Sequence, residues 1–407
     1  MNKRILTGIG ILIFLILLGG GWYFFFSKGN PEEKTGGSTS PFGTPPSGSQ
    51  ANVPVSVPSG GGEATQLQTQ TFGALRKISD VPVSGAGIFS AAGITFVRFI
   101  EAATGHVYES QPETGSVKKI SNTTIPKIAN VLWGPSGSLF LAQLEKDEGI
   151  ETFAATLTEA TTSTTTSQEV GGLRVKFLPV NISALALSPK GNQLFYVAKD
   201  SNGSRGYLGT AEGDKPALIW QSPLSEWTAL WPKDDTIALT SKSSVLAPGY
   251  LFFLNPKTKN FSRVLRSEGA FTSLTHLGGE WTIFSEGRQD LILLNLFNRK
   301  EGTTQVSPAT FPEKCVWSKL SVLILYCGVP RAALRGELPD QWYQGIVSFS
   351  DDIWKFNLET GETELVANLK DLSGGDIDII DPQLSPREDL LLFRNKNDLT
   401  LWTLKTL

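Results

Sequence analysis

Three regimes of hydrophobicity divide the chain. Ile5 to Phe26 holds no charged side chain, residues 27–70 hold almost no large apolar one, and from residue 71 short apolar runs alternate with turn formers. The first run, 22 residues, would make about 33 Å of helix at roughly 1.5 Å per residue. That matches a hydrocarbon core of about 30 Å. Trp22 and Tyr23 close its far end, where interfacial aromatics sit. Lys3 and Arg4 precede it, whereas Lys28 is followed by Glu32 and Glu33. The positive-inside rule then puts residues 1–4 in the cytoplasm and the remainder outside. A cleaved signal peptide would have a shorter apolar core and a small-x-small site. Gly19-Gly20-Gly21-Trp22-Tyr23 makes a poor one. The expectation is a single-pass anchor at 5–26 in a plasma (inner) membrane. Residues 27–70, rich in Gly, Ser, Thr and Pro, are expected to be a flexible tether, unable to bury enough surface to offset their ordering entropy.

Beyond residue 71, turn signals recur about every 8–12 residues, the spacing of a sandwich, barrel or propeller. One unit repeats: an apolar pair, a tight turn, then an apolar strand. It is written Val131-Leu-Trp-Gly-Pro-Ser-Gly-Ser-Leu-Phe-Leu141 and Leu185-Ala-Leu-Ser-Pro-Lys-Gly-Asn-Gln-Leu-Phe-Tyr-Val197, with weaker copies near residues 91, 232, 278, 319 and 386. The gaps between turns are 44, 54, 43, 46, 41 and 67 residues, close to the roughly 40–45 of four-stranded propeller blades. A strand–turn–strand follows most copies, as in Glu113-Thr-Gly-Ser-Val-Lys-Lys-Ile120 and Glu359-Thr-Gly-Glu-Thr-Glu-Leu365. The last copy holds only three strands. Phe72-Gly-Ala-Leu-Arg-Lys-Ile-Ser79 resembles the fourth strand Thr114-Gly-Ser-Val-Lys-Lys-Ile-Ser121. The fold expected over 71–407 is therefore all-β: a seven-bladed β-propeller whose N-terminal strand closes the last blade, because a closed ring leaves fewer free sheet edges.

Composition narrows the function. Thirty-six basic against 39 acidic residues give a net charge of -3, without the basic excess of a nucleic-acid binder. Two His, two Cys and one Met leave too few ligands for zinc, haem or iron–sulfur chemistry. No cofactor is expected. The turn Ser188-Pro189-Lys190-Gly191, with Ser385-Pro386, Thr114-Gly115 and Thr360-Gly361, resembles the WD-like repeat of TolB-type propellers. That resemblance implies a bacterial, extracytoplasmic propeller that binds protein. The membrane segment departs from the soluble periplasmic members.

Enzymatic readings find little in the sequence. A propeller-capped peptidase needs a G-x-S-x-G elbow, and none is expected within these blades. His106 and His276 lie in different blades with no Ser or Cys partner at a recognisable spacing. A hydrolase or lactonase built on loops at the channel mouth is the alternative to a non-catalytic interaction module. The densest acidic run is Gly374-Gly-Asp376-Ile-Asp378-Ile-Ile-Asp381. Asp376, Asp378 and Asp381 could give three oxygens to Ca²⁺, but the alternation also describes an ordinary strand or strand entry with one wet face.

Two insertions break the period. Thr161–Ser167, a Thr/Ser tract between the third and fourth strands of its blade, reads as a surface loop. Val329–Ser350 falls between the second and third strands of blade six, on the face where ligands of propellers usually bind, and carries Arg331, Arg335, Trp342, Tyr343 and Phe349. These are residue types of interface hot spots, or else aromatics that pin the loop to its blade. The expected partner is an envelope protein or glycan. Cys315 and Cys327 bracket the blade-six hairpin. Their midpoint lies about one residue past the aligned turn centre, so the two should face each other, or nearly so. Directly opposed strand residues are about 4.5–5.5 Å apart, within disulfide range. Outside the cytoplasm such a bond persists.

Overall fold

The computed structural model describes residues 74–147, 149–158, 171–288 and 291–406. The predicted anchor 5–26, the tether 27–70 and the tract Thr161–Ser167 lie outside the described residues. Among the described residues, no helix is long and apolar enough to cross a membrane.

Seven four-stranded antiparallel sheets follow one another in chain order. Their first strands are Val83–Ala91, Ile128–Trp133, Ile182–Leu187, Trp227–Lys233, Ser273–Thr275, Cys315–Trp317 and Ile379–Leu384. Gly85, Asn130, Ser183, Thr228 and Gln383, from five of these strands, border one cavity of about 520 Å³. First strands thus line a central channel, and the chain is a seven-bladed β-propeller. In five blades the inner strand carries a register irregularity against its neighbour, a device that sharpens strand twist.

The core is a ring rather than a centre. Each of the seven blade–blade contacts holds an apolar cluster. Between blades 3 and 4, Phe195 and Trp220 meet Trp227, Trp231 and Leu239. Every blade therefore buries both faces, which explains why its middle strands read as nearly continuous apolar runs. An eighth cluster belongs to the long blade-six connection.

The repeated turn has a visible cause. Ser188 Oγ donates to Asn192 Oδ1 at 2.9 Å and accepts from Gln193 N at 3.1 Å. Ser385 Oγ repeats this with Asp389 and Leu390 N. The hydroxyl supplies the turn with a local partner. Where blade 2 places Gly137 at φ 71° and blade 3 places Gly191 at φ 68°, blade 7 places Glu388 at φ 59°. Its carboxylate accepts from Ser318 Oγ at 2.7 Å and from Lys319 N and Leu320 N of the blade-six turn.

Closure joins the ends of the ring. Leu75–Ser79 pairs antiparallel with Leu401–Lys405, Leu75 opposite Leu404 and Lys77 opposite Trp402. Ile78 sits in the cluster between blades 7 and 1 with Leu401 and Val97. Fourth strands run from the face of the tight hairpin turns to the opposite face, at which the channel mouth and the second-to-third-strand connections lie. The chain therefore joins the propeller on the turn face.

Candidate functional site

Two features meet at the channel mouth: the long connection of blade six and a cavity beside it. The connection runs from Pro330 to Asp351. It does not project. Arg335 forms a β-bridge to Leu291 of blade 5, and Asp340 Oδ2 accepts from Val245 N of blade 4 at 2.7 Å. It lies across blade 5 like a strap.

A buried charge cluster fastens it. Lys314, fully buried, ends the short 3₁₀ turn Pro312–Lys314. Its ammonium donates to Asp351 Oδ2 at 2.6 Å, to Asp378, and to the Ile379 carbonyl at 3.3 Å. Asp378 also accepts from Trp342 Nε1 at 2.9 Å and Phe349 N at 3.0 Å. Asp351 Oδ2 accepts from Ile379 N at 2.7 Å. The ammonium lies 4.9 Å and 5.1 Å from the Trp342 and Phe349 ring centres, within cation–π range. Burial pushes the Asp351 carboxyl up to about 6, against the pull of Lys314.

This arrangement corrects two expectations. Trp342 and Phe349, offered as contact residues for a partner, are buried at 3% and 8% exposure, with Trp342 stacked on Phe311 at 5.6 Å. They pin the loop. Asp376, Asp378 and Asp381 do not converge: Asp376 pairs with Lys370 at 3.0 Å, Asp378 with Lys314, and Asp381 with Arg394. The segment is instead the entry to the strand Ile379–Leu384, though not one with a wet face, because Asp378 is fully buried. Among the described residues no three His, Cys, Asp or Glu gather as a metal site.

The other candidates divide. Arg331 is held by Asp352 at 3.0 Å and by the Asn368 amide oxygen. The Arg335 side chain is exposed. Cys315 and Cys327 are directly paired and disulfide-bonded. Blade six fits one more residue into its turn, Ser318 to Ile324 between paired Trp317 and Leu325, than blade 2 does between Trp133 and Phe140. His276 is buried and stacks edge-on against Trp317 at 5.2 Å. His106 shares its ring nitrogens with Thr124 and Lys119.

Tyr343 takes a different direction from its neighbour Trp342. Its hydroxyl donates to Glu313 Oε1 at 2.7 Å. Both residues border a cavity of about 550 Å³, together with Thr228, Thr240, Ser273 and Thr275. Glu313 reaches solvent at this cavity, whose lining comes from blades 2 to 6. That enclosure pushes its carboxyl up to about 7. Burial and the Glu313 charge raise the Tyr343 phenol in turn. Elsewhere on the wall, Glu226 is bracketed by Lys199 at 2.7 Å and Lys242 at 3.1 Å, whose hydrogen bonds hold its carboxyl below the usual range. Sequence reading passed over Glu313 and Lys314. Their signal was the placing of two charges between Phe311-Pro312 and Cys315-Val316-Trp317, just where an inner strand begins.

Solved structures similar to this one are propeller proteins. An oligogalacturonate lyase in complex with manganese aligns over 80% of this chain and 97% of its own at 12% identity, TM-score 0.48. The β-propeller domain of the Trilobed protease from Pyrococcus furiosus aligns over 79% and 92% at 10% identity, TM-score 0.48. TolB from Acinetobacter baumannii aligns over 79% and 78% at 10% identity, TM-score 0.40. No family model matches the sequence, and a search of curated proteins finds no match. The likeness is one of architecture.

Proposed function

We propose that this protein is a membrane-tethered, extracytoplasmic propeller that binds an envelope partner at its channel mouth without catalysing a reaction. The observation that carries the reading is the cavity of about 550 Å³ on the mouth face, a size typical of ligand sites, roofed on one side by the longest connection in the ring. Its surroundings favour a protein partner over a glycan. Leu246 and Ile346 stand 88% and 68% exposed on connections of that face, and Ile150 of the cavity wall is 37% exposed. Apolar side chains beside a concave site suit a polypeptide surface.

A hydrolase or lactonase is the second reading, favoured by one observation. Glu313 has a carboxyl near 7 in a cavity, which suits general acid–base work. The neighbouring carboxylates Glu226 and Asp381 are held in ion pairs with Lys and Arg, so neither is a free partner carboxyl for it.

Site-specific photo-crosslinking in the native membrane tests the proposal. A crosslinker at 246 or 346 on the mouth face should trap one defined protein band, identified by mass spectrometry. A crosslinker at 320 on the turn face, 68% exposed, should trap none. Equal trapping from both faces, or turnover by the purified chain in a hydrolase screen, would overturn it.

A further inference from the structure

We propose that the cavity at the channel mouth receives a single protonated primary amine carried by a partner polypeptide, with Glu313 as its counter-ion and Tyr343 orienting Glu313. The inference rests on the interaction reading above and gives that site its ligand chemistry.

Charge pairing around the cavity leaves one vacancy. Lys199 and Lys242 are both committed to Glu226. Lys314, behind Glu313 in the chain, is turned into the protein and committed to Asp351 and Asp378. Asp381, which raises Glu313, is itself held by Arg394. Asp340, near Tyr343, caps the Val245 amide. Of the two carboxylates that line the cavity among the described residues, Glu226 is paired with lysines and Glu313 with none. Tyr343 occupies Oε1, and Oε2 has no hydrogen-bond donor among the described residues. The rest of the wall near the inner strands offers hydroxyl groups from Thr228, Thr240, Ser273 and Thr275.

The chemistry of the vacancy selects among cations. A divalent metal needs several oxygens from charged or carbonyl ligands, and one carboxylate does not supply them. A guanidinium binds best when both carboxylate oxygens accept in parallel, and Oε1 already shares its lone pairs with the Tyr343 hydroxyl, which weakens that fork. An ammonium is a compact point charge that donates to a single carboxylate oxygen and to neutral oxygens around it. Enclosure keeps the Glu313 carboxyl near 7, so at neutral pH it is about half-ionised. An entering ammonium completes its ionisation.

Two sources carry that group, a lysine side chain and a polypeptide N-terminus, and pH separates them. Between pH 6 and pH 8 the ionised fraction of an acid near 7 rises about tenfold. A lysine ammonium stays charged over that range, so its affinity should rise about tenfold. A terminal amine, with a value near 8, loses about half its charge by pH 8 and should rise only about fivefold.

Calorimetric titration of the full chain in detergent micelles at the two pH values reads this out. The probes are Nα-acetyl-lysine N-methylamide, alanyl-alaninamide, the arginine analogue, and the norleucine analogue as the uncharged isostere. The expected result is that the lysine or the alanyl probe binds at least tenfold more tightly than norleucine at pH 8, with the matching pH slope. Glu313→Gln should abolish the slope and reduce affinity at pH 8 about tenfold. Tyr343→Phe, which removes the donor that lowers the Glu313 value, should shift the rise in affinity to higher pH. Melting curves of both variants check that they fold. Norleucine binding as well as lysine, arginine binding best, or an unchanged slope in Glu313→Gln would each overturn the proposal. Crosslinks from 246 and 346 without amine binding would sink this site and leave the interaction reading standing. Amine binding with no mouth-face crosslink would do the reverse.

Discussion

Replacing Lys314 with Met tests the buried charge cluster most directly. Methionine keeps a long flexible chain in a fully buried site and removes the ammonium. Asp351 and Asp378 are then left enclosed with no cation. Removing one partner of a buried ion pair costs about 3–5 kcal/mol. Unfolding about 330 residues carries an entropy of roughly 0.7 kcal/mol per kelvin, so Tm should fall by about 4–7 °C. The loss should also depend on pH. In the native protein the Asp351 carboxyl stands near 6, above the usual value of about 3.9. Its contribution to stability is thus complete below about pH 4 and is lost as pH rises through 6. Lys314 holds that value down. Without it the carboxyl climbs further, and the variant loses stability well above pH 6, by up to about 1.4 kcal/mol per pH unit for each proton the fold retains. Differential scanning calorimetry at pH 5 and pH 8 should show the larger deficit at pH 8. Asp351→Asn added to Lys314→Met should recover part of it. A deficit that is equal at the two pH values, or a drop below about 1 °C at pH 8, would refute the account.

Other outcomes follow from single features. Cys315→Ala with Cys327→Ala opens a loop of 12-residue separation, worth about 3 kcal/mol in chain entropy, so the melting point should drop by about 4 °C; no change would deny the bond a stabilising role. Removing residues 1–79 takes away the strand on Leu401–Lys405, and size-exclusion chromatography should show association through the bared edge; a stable monomer would count against the closure argument. Gly105→Ala should cost about 2–3 kcal/mol, because its φ is +73° and an added Cβ would lie 2.2 Å from the Ile125 carbonyl oxygen. Gly361→Ala, at φ +77° with open space around it, should cost only about 1 kcal/mol, and equal melting shifts in the two variants would contradict the steric reading.

What the sequence disclosed depended on the range of the interactions involved. Blade number, strand order and closure were legible because each rests on a local signal: a Ser-anchored turn, an apolar strand, a Thr-Gly reversal, repeated at a near-constant period. The cysteine pair was legible to within one residue, and the lengthened turn between Trp317 and Leu325 absorbed the difference. The strap was not. Its orientation is decided by Phe311, Lys314 and Asp378, of which Asp378 lies 64 residues beyond Lys314, and no periodicity connects them. Asp378 misled for the same reason. Flanked by Ile377 and Ile379 it has the pattern of a wet strand face, yet its solvent is replaced by an ammonium, an indole N–H and a backbone amide. Glu313 and Tyr343 were separated by 30 positions, and only the strap's fold across blade 5 brings them together.

The clasp between the two ends of the ring imposes an order on the protein's own synthesis. Leu75–Ser79 is among the earliest parts of the propeller to emerge from a ribosome or a translocation pore, and Leu401–Lys405 among the last. Six blades can be completed as their strands appear, since each pairs only with sequence neighbours. The seventh cannot. Through most of elongation, Leu75 and Ile78 wait without the strand they are written for. Any factor that shields this segment during synthesis, or any pause that lengthens the wait, acts on the one step of assembly that spans the whole domain.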